Sequence, residues 1–538
     1  MIIPAITTHY SLLKGFIKPD EAARKCKELG YTHCLLADNS LSGVVEFFSC
    51  MKKEGIIPII GWKADSGYYI VKSLSGYKTL IKLVSGENII YEDKDLQFYK
   101  DGELAFMSVY YAEEKDAILH RISLCSGFKT TLKKAKDMDM GEYKKFFESD
   151  VYFFRQPHQN IFTDKGRELA NEKLVSELQD YTIFSKPKLP KVDCQGQTEE
   201  EYITQLCRDG WKKKLSHLKS DKRNEYADRV KYELSIINGF GLAGYFLIVQ
   251  DIIAYVRNNG WLPGPGRGSA GGCLVSYLLG ITEIDPVKYD LLFSRFLNSG
   301  RFSKDNISLP DIDMDVPSQY RDQIIDYLKD KYGYSRVFQM ITFGRLQGRS
   351  VIKEVARIYA DLSFSELNEI TESLPQEASI SDELEEMDIK SIILWALEED
   401  RRKEIKMNKD KEVLRQKCIA EKQIDPKNID SFLADSIPDN RKLHRWCRLD
   451  DNNNLTGELS DMFDLAIRIE GTYKSQGKHP AGVIISNDDL INDAPLIKDR
   501  EGNPIVGFEM HDLDKVGLTK FDVLGVNLLD KIMEITHE

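Results

Sequence analysis

The sequence predicts a mixed α/β protein of several domains, and three observations carry that prediction. Its opening alternates short apolar strands with amphipathic helices. Its middle places a glycine-rich loop ahead of an acidic, strand-like alternation. Residues 351–470 are charged and helical in pattern. At 538 residues and 42% hydrophobic content, the chain can fill the cores of roughly three or four domains.

In chain order, a strand is expected at 5–7 and a helix at 19–29, where Pro19 suits the first turn. A strand at 33–37, a helix at 44–53 and a strand at 56–60 follow, a succession that fits a parallel sheet. The stretch 187–198, which the Lys-Pro-Lys-Leu-Pro-Lys run beginning at Lys186 leads into, reads as a linker. Helix dominates 199–260, with 232–237 and 245–256 apolar at helical spacing and therefore core. The charged section carries runs such as Glu383-Leu384-Glu385-Glu386 and Glu398-Glu399-Asp400-Arg401-Arg402-Lys403, which read as solvated helix faces.

The chemistry is expected in Pro310-Asp311-Ile312-Asp313-Met314-Asp315-Val316. On a strand, Asp311, Asp313 and Asp315 share one face while Ile312, Met314 and Val316 face the core. Three like charges on one edge ask for a cation, and carboxylates suit Mg²⁺ beside substrate phosphates. Asp311 and Asp315 would lie roughly 13 Å apart along the strand, whereas paired metals sit about 3.5–4 Å apart. Only one neighbouring pair of aspartates can serve them, and Asp313 belongs to both pairs. Asp522, in Lys520-Phe521-Asp522-Val523-Leu524-Gly525, is a candidate third carboxylate. Upstream, Pro263-Gly264-Pro265-Gly266-Arg267-Gly268-Ser269-Ala270-Gly271-Gly272 precedes an apolar helical stretch at 273–279. Glycines bring backbone N–H groups close to an anion, and a helix start adds its positive end. Arg267 offers a fork and Ser269 a hydroxyl. No Gly-Lys-Ser/Thr closes the loop, so it is not a Walker A element. A phosphate cradle near a carboxylate metal site implies nucleotidyl or phosphoryl transfer.

These residues resemble the alpha subunit of bacterial DNA polymerase III. The resemblance is carried by Gly244-Tyr245-Phe246-Leu247-Ile248-Val249, the Gly264-to-Ser269 loop, Ile281-Thr282, Asp285-Pro286 and Arg295-Phe296-Leu297-Asn298. The acidic alternation, Ile341-Thr342-Phe343-Gly344 and Lys520-Phe521-Asp522 extend it. It implies a PHP-like α/β domain (a distorted barrel) at 1–190, then a polymerase-β-like nucleotidyltransferase palm at 191–350 and 471–538. A helical thumb would be inserted at 351–470. It also implies that Asp313, Asp315 and Asp522 hold two Mg²⁺ ions, with Asp311 a supporting carboxylate. Arg267, Gly268, Ser269, Lys520 and Arg295 would face the incoming nucleotide. Lys478-His479 matches a turn before the returning palm strand and stays outside the catalytic set.

Thr8-His9-Tyr10-Ser11 and Ala37-Asp38-Asn39 resemble the PHP motifs, with departures. Thr7 and Asn39 stand where the family has histidines, and Lys63 stands where a glutamate is expected after Pro58-Ile59-Ile60-Gly61. An ammonium there repels metal, so a structural role without a metal ion is expected. The implied function is DNA-directed DNA polymerisation in replication, with primer-template DNA and dNTP as substrates.

The chain stops sixteen residues after Asp522. A C-terminal portion carrying fingers is therefore an expected partner, with a possible sliding-clamp contact through that missing part. Alone, the chain is expected to be inactive or weakly active. Two rival readings are a non-catalytic DNA-binding or assembly subunit and a PHP-type phosphoesterase or 3′–5′ exonuclease.

Composition discriminates less. The net charge of −12 requires any DNA surface to rest on local basic clusters, such as Lys129 to Lys136 or Lys212 to Arg223. No run of 18 apolar residues suggests a membrane span, and the first residues lack a signal-peptide pattern. Nine cysteines without a Cys-x-x-Cys pair suit reduced thiols, and a cytoplasmic location is expected.

Overall fold

The computed structural model describes residues 1–87, 94–157, 164–297, 310–372, 389–421, 446–450, 452 and 454–537. Asn298 and the Glu383–Glu386 run lie outside the described residues.

The first strands are β1 (Ile3–Ile6), β2 (His33–Leu36) and β3 (Ile57–Ile59). The helices Pro19–Glu28 and Val44–Lys53 connect them. The first helix starts on Pro19, carries Asp20 and Glu21 in its first turn and Lys25 and Lys27 in its last, matching the helix dipole. The strands β4 (Gly61–Ala64), β5 (Gly67–Val71) and β6 (Leu96–Lys100) pair antiparallel with one another. With β7 (Phe106–Val109) the parallel sheet takes the order β3-β2-β1-β7. Among the described residues these ladders form a four-stranded parallel sheet and a separate three-stranded antiparallel one, with a parallel bridge between Tyr111 and Phe153 just past β7.

The second half is built on a mixed six-stranded sheet. Its first members are β8 (Asp313–Pro317) and β9 (Val337–Arg345). After β9 the chain turns helical, in Gly348–Tyr359, Phe364–Glu372, Ile389–Glu421 and Ser460–Ile469. A small ladder, β10 (Arg448–Leu449) with β11 (Leu455–Thr456), interrupts that section. The sheet resumes with β12 (Tyr473–Ile485), β13 (Leu496–Lys498), β14 (Pro504–Val506) and β15 (Lys520–Val526), in the order β13-β14-β9-β12-β15-β8. The helices Glu199–Lys214, Ser220–Gly239, Ala243–Asn258 and Leu274–Leu279 share one core with its β8–β15 end. A capping box between Thr198 and Glu201 starts the first of them. Ile312, Met314 and Val316 face that core with Phe521 and Val523, so the acidic strand is apolar on its hidden side.

The N-terminal domain shares cores with both later regions. Phe47, Phe48 and Leu80 pack with Met340, Ile484 and Val506 from the six-stranded sheet. Leu124 and Cys125 on the helix Ala117–Gly127 pack with Val355, Met462 and Phe463 from the helical section. Truncating a fully buried aromatic such as Phe463 to alanine costs about 3–5 kcal/mol in cores of this kind. Among the described residues no single helix is long and apolar enough to cross a membrane.

Candidate functional site

β8 and β15 run parallel, with Asp313 opposite Asp522 and Asp315 opposite Leu524. Neighbouring strands lie about 4.8 Å apart, so two carboxylates distant in sequence stand side by side on one face. β8 begins at Asp313, which leaves Asp311 in the extended lead-in instead of on the strand face expected from the alternation. Asp311 nevertheless joins the cluster: one carboxylate oxygen from each of Asp311, Asp313 and Asp522 lies within 4.8 Å of the others. Asp315 is not part of that cluster. Its Oδ1 faces the Arg267 guanidinium at 3.6 Å.

Burial governs the electrostatics. Asp522 is 4% exposed, and desolvation pushes its carboxyl up to about 6. The Lys520 ammonium, 2.7 Å from Asp522 Oδ2, opposes that rise, while Asp311 adds to it. Asp313 is raised as well, by burial first and then by Asp311. The Tyr245 hydroxyl accepts from the Ile312 backbone N–H at 3.3 Å, and its ring stacks on Phe521. Burial keeps this phenol neutral, and Asp311, Asp522 and Asp313 reinforce that.

Two carboxylate oxygens at this site, Asp522 Oδ1 and Asp315 Oδ1, are buried and have no hydrogen-bond partner. Leaving such an atom unsatisfied costs about 1–3 kcal/mol, more for a charged group. An all-oxygen, multiply charged donor set with orphaned oxygens fits a hard divalent cation.

The glycine-rich loop lies against this cluster. The Gly264 N–H donates to the Asp315 carbonyl at 2.9 Å, and a Cβ at Gly264 would come 2.6 Å from Asp315 Cβ. Only glycine permits that approach. Gly268 has a φ of +60° and opens the 3₁₀ turn Gly268–Gly272. Arg267 and Ser269 are exposed there. The helix Leu274–Leu279 begins directly afterwards, as expected, but its positive end is not free. Glu233, fully buried, accepts from the Val275 N–H at 2.9 Å and from that of Leu274. An internal carboxylate therefore occupies the helix start that was expected to face phosphate, which leaves the loop turn and its side chains for that task. Arg295 is exposed at the end of the turn Phe293–Arg295.

Lys478 and His479 lie within β12, at an irregularity between Lys478 and Val483, and not in a turn before it. His479 Nδ1 accepts from the N–H groups of Ala481 (3.2 Å) and Gly482 (2.7 Å), and Gly482 pairs with Asp522. The ring proton is thus on Nε2. Burial, Lys520 and Arg321 lower its pKa and keep the ring neutral. Lys478 lies 3.8 Å from Asp499.

The N-terminal crevice differs. Asp38 is completely buried, and its carboxylate accepts from Thr8 N–H (2.7 Å), Thr8 Oγ1 (2.6 Å) and Ser11 Oγ (2.7 Å). The His9 ring does not meet it; it stacks on Tyr473 of β12 at 4.3 Å, and burial lowers its pKa to about 3. Lys63 pairs with Asp101 at 2.7 Å.

Two residues were not legible as site neighbours: Tyr245 and Glu233 both read as parts of apolar core segments. His479 was singled out by the sequence, but its engagement depends on a local strand irregularity. The one available signal was the four-residue spacing of Arg229 and Glu233, which predicts a pair but not its target.

Comparisons with known proteins place the chain in one family. A family model described as "Bacterial DNA polymerase III alpha NTPase domain" matches residues 201–425 and 405–525, together more than half the chain. A PHP domain model matches residues 6–154. The chain is 28% identical to the DNA polymerase III subunit alpha of Aquifex aeolicus, over 98% of this chain and 51% of that protein. It is 26% identical to that of Bacillus subtilis, over 98% of this chain and 48% of that protein. Against that of Escherichia coli it is 30% identical, over 69% of this chain and 27% of that protein. The chain spans about half the length of the first two of these relatives. With the paired strands, the acidic cluster and the glycine loop already in place, the matches identify the chain as a member of the bacterial DNA polymerase III alpha family, with a PHP domain at its start.

Proposed function

We propose that the chain is an N-terminal portion of a DNA-directed DNA polymerase that transfers a nucleotidyl group to a primer 3′-hydroxyl during replication. Residues 1–190 are the PHP-like domain, 191–350 and 471–538 two segments of a polymerase-β-like palm, and 351–470 the inserted thumb. The observation that carries the reading is the pairing of Asp522 with Asp313 across β8 and β15, beside the glycine loop.

The residues that would hold two Mg²⁺ ions are Asp313 and Asp522, with Asp315 as the resemblance implies and Asp311 as the cluster supports. The chemistry such ions supply when bound is Lewis-acid stabilisation of the attacking hydroxyl and of the departing pyrophosphate. Lys520 balances the charge gathered at Asp522. Arg267 and Ser269, exposed on the loop, present a fork and a hydroxyl to the polyphosphate, and the N–H groups of the Gly268–Gly272 turn add neutral donors. Arg295 supplies a further exposed cation. His479 is not a general base, because its acceptor nitrogen already takes two backbone N–H groups.

Primer-template DNA and dNTP are the substrates on this reading, and a C-terminal portion with fingers is the partner, through which a sliding clamp would be reached. The helix Asn527–His537 supports a covering partner: Leu529 and Met533 are buried, while Leu528, Ile532 and Ile535 form an exposed apolar stripe. The PHP-like crevice is assigned a structural role without metal, because hydroxyl and N–H donors already satisfy Asp38 and Lys63 brings a cation. Cysteines that are mostly buried free thiols fit a reducing cytoplasm.

The test is incubation with labelled primer-template, Mg²⁺ and dNTPs, with and without a C-terminal half supplied by a relative. Binding with little extension alone, and extension on complementation, is the expected result. Shortening of the primer would transfer the chemistry to the PHP-like domain. Binding without extension in every combination would leave an assembly subunit.

A further inference from the structure

The loop Arg267–Gly272 and the turn Phe293–Arg295 are separate in sequence, and no strand of their own anchors either one. One ion pair on the helix Ser220–Gly239 holds both. Arg229 and Glu233 lie four residues apart on one helix face, and Arg229 Nε donates to Glu233 Oε1 at 2.6 Å. The same guanidinium, through Nη2, donates to the carbonyls of Gly272 (2.9 Å) and Leu291 (3.0 Å). Gly272 ends the loop turn, and Leu291 lies two residues before the turn that carries Arg295. The two segments touch there, since a Cβ at Gly272 would lie 3.0 Å from the Leu292 carbonyl oxygen. Glu233 completes the clamp from the other side. Its Oε2 accepts from the Val275 N–H and lies 3.3 Å from the Cys273 thiol, and Leu274 N–H also donates to the carboxylate.

A planar guanidinium has five donors in fixed directions, so it can set the relative position of three acceptors at once, which a lysine ammonium on a flexible stem cannot. A fully buried carboxylate is tolerated only while its partners stay in place. Neither group is free to meet a ligand, because their hydrogen bonds are directed at the backbone of the two segments.

We infer that Arg229 and Glu233 are positioning residues that set the spacing between the Arg267–Gly272 loop and the Arg295 turn, and with it the fit of a nucleoside triphosphate. The inference rests on the reading of that loop as the triphosphate site.

The experiment uses the full chain and the variants Arg229→Lys and Glu233→Gln, with Lys231→Ala, an exposed residue of the same helix, as control. Three quantities are measured: affinity for dATP with Mg²⁺, affinity for primer-template DNA, and amide hydrogen exchange across residues 268–275. In Arg229→Lys, exchange in that segment quickens, dATP binds about tenfold or more weakly, and DNA affinity is unchanged. Glu233→Gln shifts exchange and dATP affinity in the same sense, again with DNA affinity unchanged, and Lys231→Ala shifts none of the three. Unchanged exchange in both clamp variants overturns the inference, since the contacts would then not hold the loop. Faster exchange with undiminished dATP affinity also overturns it, leaving a purely structural staple. If the unaltered chain binds DNA but not dATP, the reading of the loop as a triphosphate site falls, and this inference falls with it.

Discussion

Two buried aspartates, one in each half of the molecule, have similar proton affinity and opposite surroundings. Asp38 follows β2 of the N-terminal sheet, Asp522 lies on β15 of the second sheet, and burial pushes both carboxyls up to about 6. The Asp38 carboxylate accepts from donors of its own domain, two hydroxyls and a backbone N–H, which together engage both of its oxygens. Asp522 keeps one oxygen against Lys520 and leaves the other buried and unsatisfied next to two more aspartates. Desolvation alone does not distinguish a structural carboxylate from one ready for a ligand. What distinguishes them is whether the protein has already met the demand that burial creates.

The same contrast runs through the neighbouring residues. His9, in a motif that resembles a metal ligand set, stacks on Tyr473 and helps join the N-terminal domain to β12. His479 is held neutral by two backbone donors close to Asp522. The first crevice has its polar groups already engaged, and the second leaves a carboxylate oxygen of Asp522 without a hydrogen-bond partner.

The largest expected effect separates the two aspartates directly. In the complete polymerase, Asp522→Asn should lower nucleotide addition on the order of a thousandfold or more, while Asp38→Asn should leave it essentially unchanged. Asp38→Asn should instead cost about 1–3 kcal/mol in denaturant unfolding, because it disturbs a buried and satisfied network. Near-normal extension by Asp522→Asn would end the comparison.

A second measurement sharpens the unsatisfied site. Mn²⁺ titration followed by electron paramagnetic resonance should show affinity reduced about tenfold or more in Asp311→Asn if the cluster of Asp311, Asp313 and Asp522 holds the ion. A loss confined to Asp315→Asn would instead favour the trio implied by the family resemblance. The readout needs no turnover, so it applies to the chain as it stands.

A smaller effect concerns pH. The Asp38 carboxyl titrates near 6 when folded against about 3.9 in an unfolded chain. The folded state therefore holds the extra proton between those values, and stability due to this group falls as pH rises from about 4 to about 6. Thermal unfolding of Asp38→Asn across that window should lack this part of the slope. An identical slope in the variant would mean that the hydroxyl donors already hold the folded carboxyl at its unfolded value. The smallest effect is expected at His9, neutral and stacked: His9→Phe should change stability by less than about 1.5 kcal/mol. A larger loss would show that its ring nitrogens matter.

Much of this architecture was readable from the chain. Alternation placed β1, β2 and β3 and the helices between them within a residue or two, because strand and helix periods differ and proline and charge mark the helix ends. The apolar side of the acidic strand followed from the same two-residue period, and Met314 and Val316 are buried accordingly. The lead-in carrying Asp311 did not follow, because pairing to β15 starts only at Asp313 and local alternation cannot say where a partner strand begins. The glycine loop was visible, but Glu233 was not visible as its clamp, since helix spacing gives the Arg229 pair without the carbonyls it meets.

Local patterning thus determined the segments, the types of groups they carry and the side of each strand that is hidden, because those depend on periods of a few residues. Long-range folding decided which carboxylates meet, which helix end is already occupied and which histidine is packed away. Those outcomes depend on strand register and on donors contributed from distant segments. Asp313 and Asp522 share a site only because a parallel ladder sets them opposite each other, and no pattern within either segment contains that register.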